Sequence, residues 1–199
     1  MICAHSLFPS LSYSVAPHTL SSMSSDQELR ALFNEVDRNK TGTINDKELQ
    51  VALSNGTKKK FNIKTCRLLI AMVDLNNNKV CDFNEFKSLL QFLKGWTVLF
   101  KEFDRDGSKS IGNREMSSAL VQLGYQIHPS GVGLLIHMYD RSHRNALLFD
   151  DFVHLNIVLH AVTHAFKAKD LDKKDVVVFS QTEFLMMVTT LIVRLGHSD

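Results

Sequence analysis

The stretch DRNKTGTINDKE, Asp37 to Glu48, sets oxygen-bearing side chains at alternate places, Asp37, Asn39 and Thr41, and closes on Glu48. Oxygens in that order suit a hard divalent cation. Calcium takes about six to eight of them at about 2.3 to 2.6 Å. A calcium loop offers side chains from positions 1, 3 and 5, a backbone carbonyl from position 7, a water-linked group at 9 and a bidentate carboxylate at 12. Here those places hold Asp37, Asn39, Thr41, the Thr43 carbonyl, Asn45 and Glu48. The chain must turn sharply at position 6, where glycine takes a positive φ at least cost, and Gly42 stands there. Ile44 at position 8 is placed to face inward, where paired loops share a short β-bridge. The competing reading is a polar turn between two helices, and the rest of the chain separates the two.

The unit recurs. MVDLNNNKVCDFNEF, EFDRDGSKSIGNREM, MYDRSHRNALLFDDF and AKDLDKKDVVVFSQTEF each carry an apolar helix end, an Asp, a polar loop and an acidic restart. The loops fall at 37–48, 74–85, 104–115, 140–151 and 170–183. The third presents Asp104, Asp106, Ser108, the Ser110 carbonyl and Glu115, with Ile111 at position 8; Lys109 stands where glycine is preferred and Gly107 two places early. A non-glycine residue held at positive φ costs about 1 kcal/mol, which ligation can offset. The second presents Asp74, Asn76, Asn78, the Val80 carbonyl and Glu85, but Lys79 is at position 6 and Cys81 at position 8, so calcium there is left open. Cys81 reads as a small buried apolar residue, because thiolates suit softer metals. The fourth loop sets Arg144 at position 5 and ends in the shorter Asp151; the fifth has Lys174 at position 5, Gln181 at position 12 and Glu183 two residues late. A cation where an oxygen is needed makes both structural elements rather than metal sites.

Such loops must be held by helices. Leu29, Leu32, Phe33 and Val36 recur at helical spacing before Asp37, after Ser25 or Asp26 as a cap. DFNEFKSLLQFLKGWTVLFKEF and FDDFVHLNIVLHAVTHAFKAK contain no proline and read as long helices shared by repeats two and three and by repeats four and five. The expectation is an all-α fold of five helix-loop-helix repeats, or EF-hands, with about eight helices over residues 26–199, after a disordered Ser-rich tail at 1–25. At 199 residues and 44% hydrophobic, the chain can bury a sizeable core without staples. A formal charge of +2 with no basic block excludes a nucleic-acid surface. Cys3, Cys66 and Cys81 form neither a CxxC pair nor a Cys/His metal set, which fits a reducing compartment. The amino terminus lacks a signal-peptide pattern, and no run reaches the ~18 apolar residues that span a bilayer.

Five repeats with two long shared helices, the stretches VDRNKTGTINDKELQVALSNG and FDRDGSKSIGNREMSSALVQLGY, and a fifth loop two residues longer are similar to the penta-EF-hand family over Asp26 to Val193. The resemblance implies a cytosolic calcium sensor and adaptor. It implies calcium in the first and third loops, at the residues named above, and dimerisation through the fifth hand, with itself or with another chain of the family. It also implies an apolar surface for partners with Pro-rich or Tyr-containing motifs, and a place in the cytoplasm, with peripheral association at endoplasmic-reticulum or endosomal membranes or a nuclear pool. The Ser-rich tail departs from the family's Gly/Pro-rich tails, so functions of the tail do not transfer. Lys174 departs from a metal-binding fifth hand.

The dimer has an argument of its own. EF-hands pair, five leave one without a mate, and EFLMMVTTLIVRL, Glu183 to Leu195, is too apolar for an exposed terminal helix. Residues near 170–195 therefore read as an interface, the alternative being that the helix folds into its own core. His154, His160 and His164 share one helix and invite a zinc reading, but no HExxH frame or Cys set accompanies them, so they read as surface or interface residues. Cys66 has no nucleophile elbow or oxyanion glycines beside it, and no catalytic constellation is found. Phe83, Phe86, Leu89, Leu90, Phe92, Leu93, Trp96, Leu99, Phe100 and Phe103 crowd more than one helix face. Most belong to a core, and calcium-driven rearrangement could uncover a few, Trp96 among them, as a partner groove. A regulatory subunit of a larger calcium-dependent enzyme and a calcium buffer stand as alternatives to the sensor.

Overall fold

Helices start where a side chain can accept the free N–H groups of a first turn, and in this chain the loops supply those side chains. The computed structural model describes residues 26–54, 60–172 and 174–195. Its helices are α1 (Asp26–Val36), α2 (Asp46–Ser54), α3 (Ile63–Val73), α4 (Phe83–Phe103), α5 (Asn113–Gln122), α6 (Pro129–Tyr139), α7 (Phe149–Lys167) and α8 (Gln181–Arg194); β1 (Ile111–Gly112) and β2 (Ala146–Leu147) are short strands. Asn62 caps α3, Asp82 and Glu85 form a reciprocal capping box on α4, and Ser180 and Glu183 do the same on α8. Pro129 opens α6, where its missing N–H leaves no helix bond unmade. The fold is the all-α array of helix-loop-helix units that the repeats predict. The expected tail at 1–25 lies outside the described residues.

The two long helices are as the proline-free runs require: α4 leaves hand 2 and enters hand 3, and α7 leaves hand 4 and enters hand 5. Gly95 does not interrupt α4. Hands pair through their loops. Ile44 and Cys81 exchange backbone hydrogen bonds at 2.8 and 2.9 Å, and Ile111 lies opposite Leu147 in the β1–β2 ladder. All four residues are fully buried, so Cys81 is the small apolar residue its position demands, and burial pushes its thiol up to about 12.

Where α4 and α7 meet, Phe152 touches Trp96, Phe100 and Phe103 edge to face at centroid distances of 5.6, 5.5 and 6.2 Å. Burying an aromatic of this kind contributes about 2 to 3 kcal/mol, with further gain from the edge-to-face geometry. This junction ties the pair formed by hands 1 and 2 to the pair formed by hands 3 and 4. Among the described residues the fifth hand has no such partner. Leu171, Val176 and Val178 in its loop, and Phe184, Leu185, Met186, Ile192 and Val193 on α8, are exposed, Val178 to 92% and Val193 to 72%. The alternative that α8 buries its apolar face in the chain's own core does not hold for these residues.

Candidate metal centres

Every loop opens with an aspartate just beyond a helix C-terminus; Asp74, Asp104 and Asp140 are the C-caps of α3, α4 and α6. A carboxylate at the negative end of a helix is unfavourable, and the loop backbone turns round to satisfy it. Thr41 and Gly42 N–H donate to the two oxygens of Asp37 at 3.1 and 2.8 Å. Asn78 and Lys79 do so for Asp74, at 3.1 and 2.8 Å, and Lys174 and Asp175 for Asp170, at 3.1 and 3.0 Å. Lys109 donates to Asp104 at 2.9 Å and Asn145 to Asp140 at 2.6 Å.

That arrangement needs a left-handed residue at position 6, and all five loops have one: Gly42 (φ 79), Lys79 (φ 63), Lys109 (φ 63), Asn145 (φ 57) and Asp175 (φ 57). Position 4 is left-handed as well in the first four loops, at Lys40, Asn77, Gly107 and His143. Gly107 is therefore not displaced, as the glycine pattern suggests, but occupies a second strained position of its own.

The last carboxylate of each of the first three loops folds back over its loop. Glu48 accepts from Asn39 and Asn45 N–H at 3.3 and 3.1 Å. Glu85 accepts from Leu75 and Asp82 at 3.0 and 2.8 Å, and Glu115 from Arg105 and Gly112 at 2.9 and 3.0 Å. Each stands in the first turn of its exiting helix, at the favourable positive end. In the third loop single oxygens of Asp104, Asp106 and Glu115 lie within 4.8 Å of one another. Ser108 Oγ and Thr41 Oγ1 sit 2.9 and 3.1 Å from the carbonyl oxygens of Ser110 and Thr43. The donor set fits calcium: hard oxygens only, no thiolate or imidazole, and like charges that approach closely without a side-chain cation among them.

In the second loop Asn76 Nδ2 donates to Glu85 at 3.4 Å and Asn78 Oδ1 accepts from Val80 N–H at 3.0 Å. Its opening aspartate and closing glutamate accept backbone N–H groups as those of the first and third loops do.

The fourth loop is closed by a different residue from the one its spacing singles out. Arg144 at position 5 and Arg141 at position 2 are both exposed, but it is Arg141 that reaches the closing acids. Its Nε donates to Asp151 Oδ1 at 2.7 Å and its Nη2 to Asp150 Oδ2. A cation at position 2 followed by adjacent acids at positions 11 and 12 is the signal in the sequence that marks this pairing. In the fifth loop Lys174 Nζ lies 2.9 Å from Asp172 and Lys169 Nζ 2.8 Å from Glu183. Ser180 N–H donates to Glu183 at 3.0 Å as Gly112 does to Glu115, so the two extra residues lie between Asp175 and Ser180 and Glu183 keeps its place relative to α8. Lys169 first, then Ser180, holds the Glu183 carboxyl down to about 2.

His154 Nδ1 pairs with Thr65 Oγ1 at 3.0 Å, and the His160 and His164 rings stack at 6.3 Å. Among the described residues no histidine belongs to a convergent set of three metal-type ligands.

A profile described as an EF-hand domain pair matches residues 26–91. Sorcin from Schistosoma japonicum is 38% identical over 165 residues, which cover 83% of this chain and 96% of that protein. Peflin from Xenopus laevis is 36% identical over 166 residues, and the matched region spans 59% of that peflin's length. Among solved structures, a homolog of programmed cell death 6 protein from Leishmania major Friedlin aligns with a TM-score of 0.73 at 31% identity, over 83% of this chain and 95% of that one. A relative matched along almost its whole length, and a neighbour matched in both fold and sequence, place the chain in the penta-EF-hand family, as a calcium-binding protein.

Proposed function

We propose that the chain is a calcium sensor and adaptor that loads its first and third loops, through Asp37, Asn39, Thr41, Thr43 and Glu48 and through Asp104, Asp106, Ser108, Ser110 and Glu115. The observation that carries this reading is the convergence of single carboxylate oxygens of Asp104, Asp106 and Glu115 within 4.8 Å of one another in the third loop. Asp74, Asn76, Asn78, Val80 and Glu85 offer the same ligand charge as the first loop, one Asp and one Glu, so the number of bound ions, two or three, reports on the second hand.

The fifth hand is the dimerisation surface in this reading. Its loop has no bridging partner among the described residues, and α8 keeps Phe184, Leu185 and Met186 more than half exposed. A contiguous apolar face of this kind marks an interface. Met186→Asp, at a position 66% exposed in the single chain, leaves the monomer folded and halves the mass seen by light scattering. A mass already that of one chain in the unaltered protein favours a different partner chain, as in a regulatory subunit. We place the protein in the cytoplasm, on the support of two free buried thiols, Cys66 and Cys81, with a peripheral membrane or nuclear pool as a secondary location. Cell fractionation tests the location.

Calorimetric titration with calcium, read together with the fluorescence of Trp96, tests the sensor. Trp96 is the only tryptophan and is buried where α4 meets α7. Binding near micromolar with a spectral shift is the expected result. Binding without a shift favours a buffer, and absent heat overturns the assignment of both sites.

A further inference from the structure

At the start of α7 two neighbouring carboxylates, Asp150 and Asp151, are buried to 6% and 1% exposure. Adjacent buried anions are strongly destabilising unless a cation and hydrogen bonds compensate them. In the fourth loop Arg141 lays one edge of its guanidinium across both carboxylates. The fork geometry matters, since a planar guanidinium can bond two carboxylates at once where an ammonium offers only a point charge. Burial pushes the Asp151 carboxyl up to about 6, and the hydrogen bond from Arg141 pulls against that.

Asp150 also reaches across to the first pair of hands. Its Oδ2 accepts the N–H of Asn62, the cap of α3, at 2.9 Å, and its carbonyl accepts from Thr65 Oγ1 at 3.4 Å. Thr65 Oγ1 pairs in turn with His154 Nδ1, one turn further along α7, at 3.0 Å. The carboxylate that Arg141 holds therefore stands at the positive end of the helix entering hand 2. Residues about 85 positions apart in the chain meet at this joint.

We propose that the guanidinium of Arg141 is a tethered replacement for the divalent cation of the fourth loop, keeping that hand and the start of α3 locked together whether or not calcium is present. The joint is then a fixed pivot. Hands 1 and 3 respond to calcium while the contact between α3 and α7 stays put, so rearrangement is channelled elsewhere.

Hydrogen exchange on the full chain, with chelator and with calcium, tests this. In the unaltered protein the amides of residues 62–66 and 150–155 exchange slowly and at the same rate in both conditions. Arg141→Gln accelerates both segments together in chelator, on the order of tenfold, while α1 and α5 keep their protection. Unchanged exchange at either segment, protection that depends on calcium in the unaltered protein, or equal acceleration in every helix each overturns the proposal. If Arg141→Gln does not fold, Arg141→Lys is measured instead. It keeps the charge without the fork, so a smaller acceleration confined to the two segments is expected, and exchange like that of the unaltered protein overturns the proposal.

Discussion

The first three loops and the last two share a backbone and differ in the source of their positive charge. All five wrap the N–H groups of positions 5 or 6 onto the opening aspartate, and all five hold position 6 at positive φ. In loops one to three the opening aspartate and the closing glutamate are held by backbone N–H groups and a few neutral side chains. In loop four an arginine lies across the closing acids, and in loop five Lys169 and Lys174 each take one carboxylate. If only loops one to three take calcium, the shape of an EF-hand loop is no guide to whether it binds. The side chains that neutralise its anions are.

The sharpest way to break the comparison is to remove the closing carboxylate on each side of it. Glu115→Gln and Glu48→Gln each delete one charged, bidentate ligand and should weaken calcium binding at that loop by on the order of a hundredfold or more. Glu183→Gln in the fifth loop should leave the calorimetric stoichiometry unchanged. An equal loss in all three would show that the lysines do not set the fifth loop apart.

A second prediction uses the pH dependence of the arginine-closed loop. The Asp151 carboxyl titrates near 6 when folded, against an ordinary 3.8, because burial raises it more than Arg141 lowers it. Between those values the native chain keeps a proton that the unfolded chain has lost. This contribution to stability is therefore full below about pH 4 and disappears as pH rises through about 6, a change of at most about 3 kcal/mol before solvent screening reduces it. Urea unfolding at pH 4.5 and 7 should show Asp151→Asn gaining on the unaltered protein as pH rises. Parallel profiles would sink the assignment.

The smallest effect concerns strain. A Cβ added at Gly42 meets no heavy atom within 4 Å, so Gly42→Ala costs about 1 kcal/mol from its positive φ alone. Lys109→Gly at the matching place in the third loop should gain about 0.5 to 1 kcal/mol. Chemical denaturation in chelator measures both, and opposite signs are required.

Much of this was legible before any fold was known. Apolar periodicity, proline-free runs and a repeated Asp at each loop start suffice to predict α4, α7 and the helix-loop-helix count. What escaped was contact between groups distant in sequence. Position 5 points to Arg144, yet it is Arg141 at position 2 that meets the adjacent acids Asp150 and Asp151. Gly107 looked misplaced because the pattern asks for one left-handed residue where the backbone uses two. The two-residue lengthening of the fifth loop was visible, but its location between Asp175 and Ser180 followed only from the bond between Ser180 and Glu183. The joint from Asp150 to Asn62 left no trace in local spacing at all.

The unbridged fifth loop also sets a limit on growth. A chain with an even number of hands could close all its pairs internally, and one with two open edges could add copies at both ends and become a filament. Among the described residues parity leaves a single open edge. If two copies meet through it by a two-fold axis, each satisfies the other and nothing remains to recruit a third. Self-assembly through this edge would be terminated by arithmetic, with no separate capping device required.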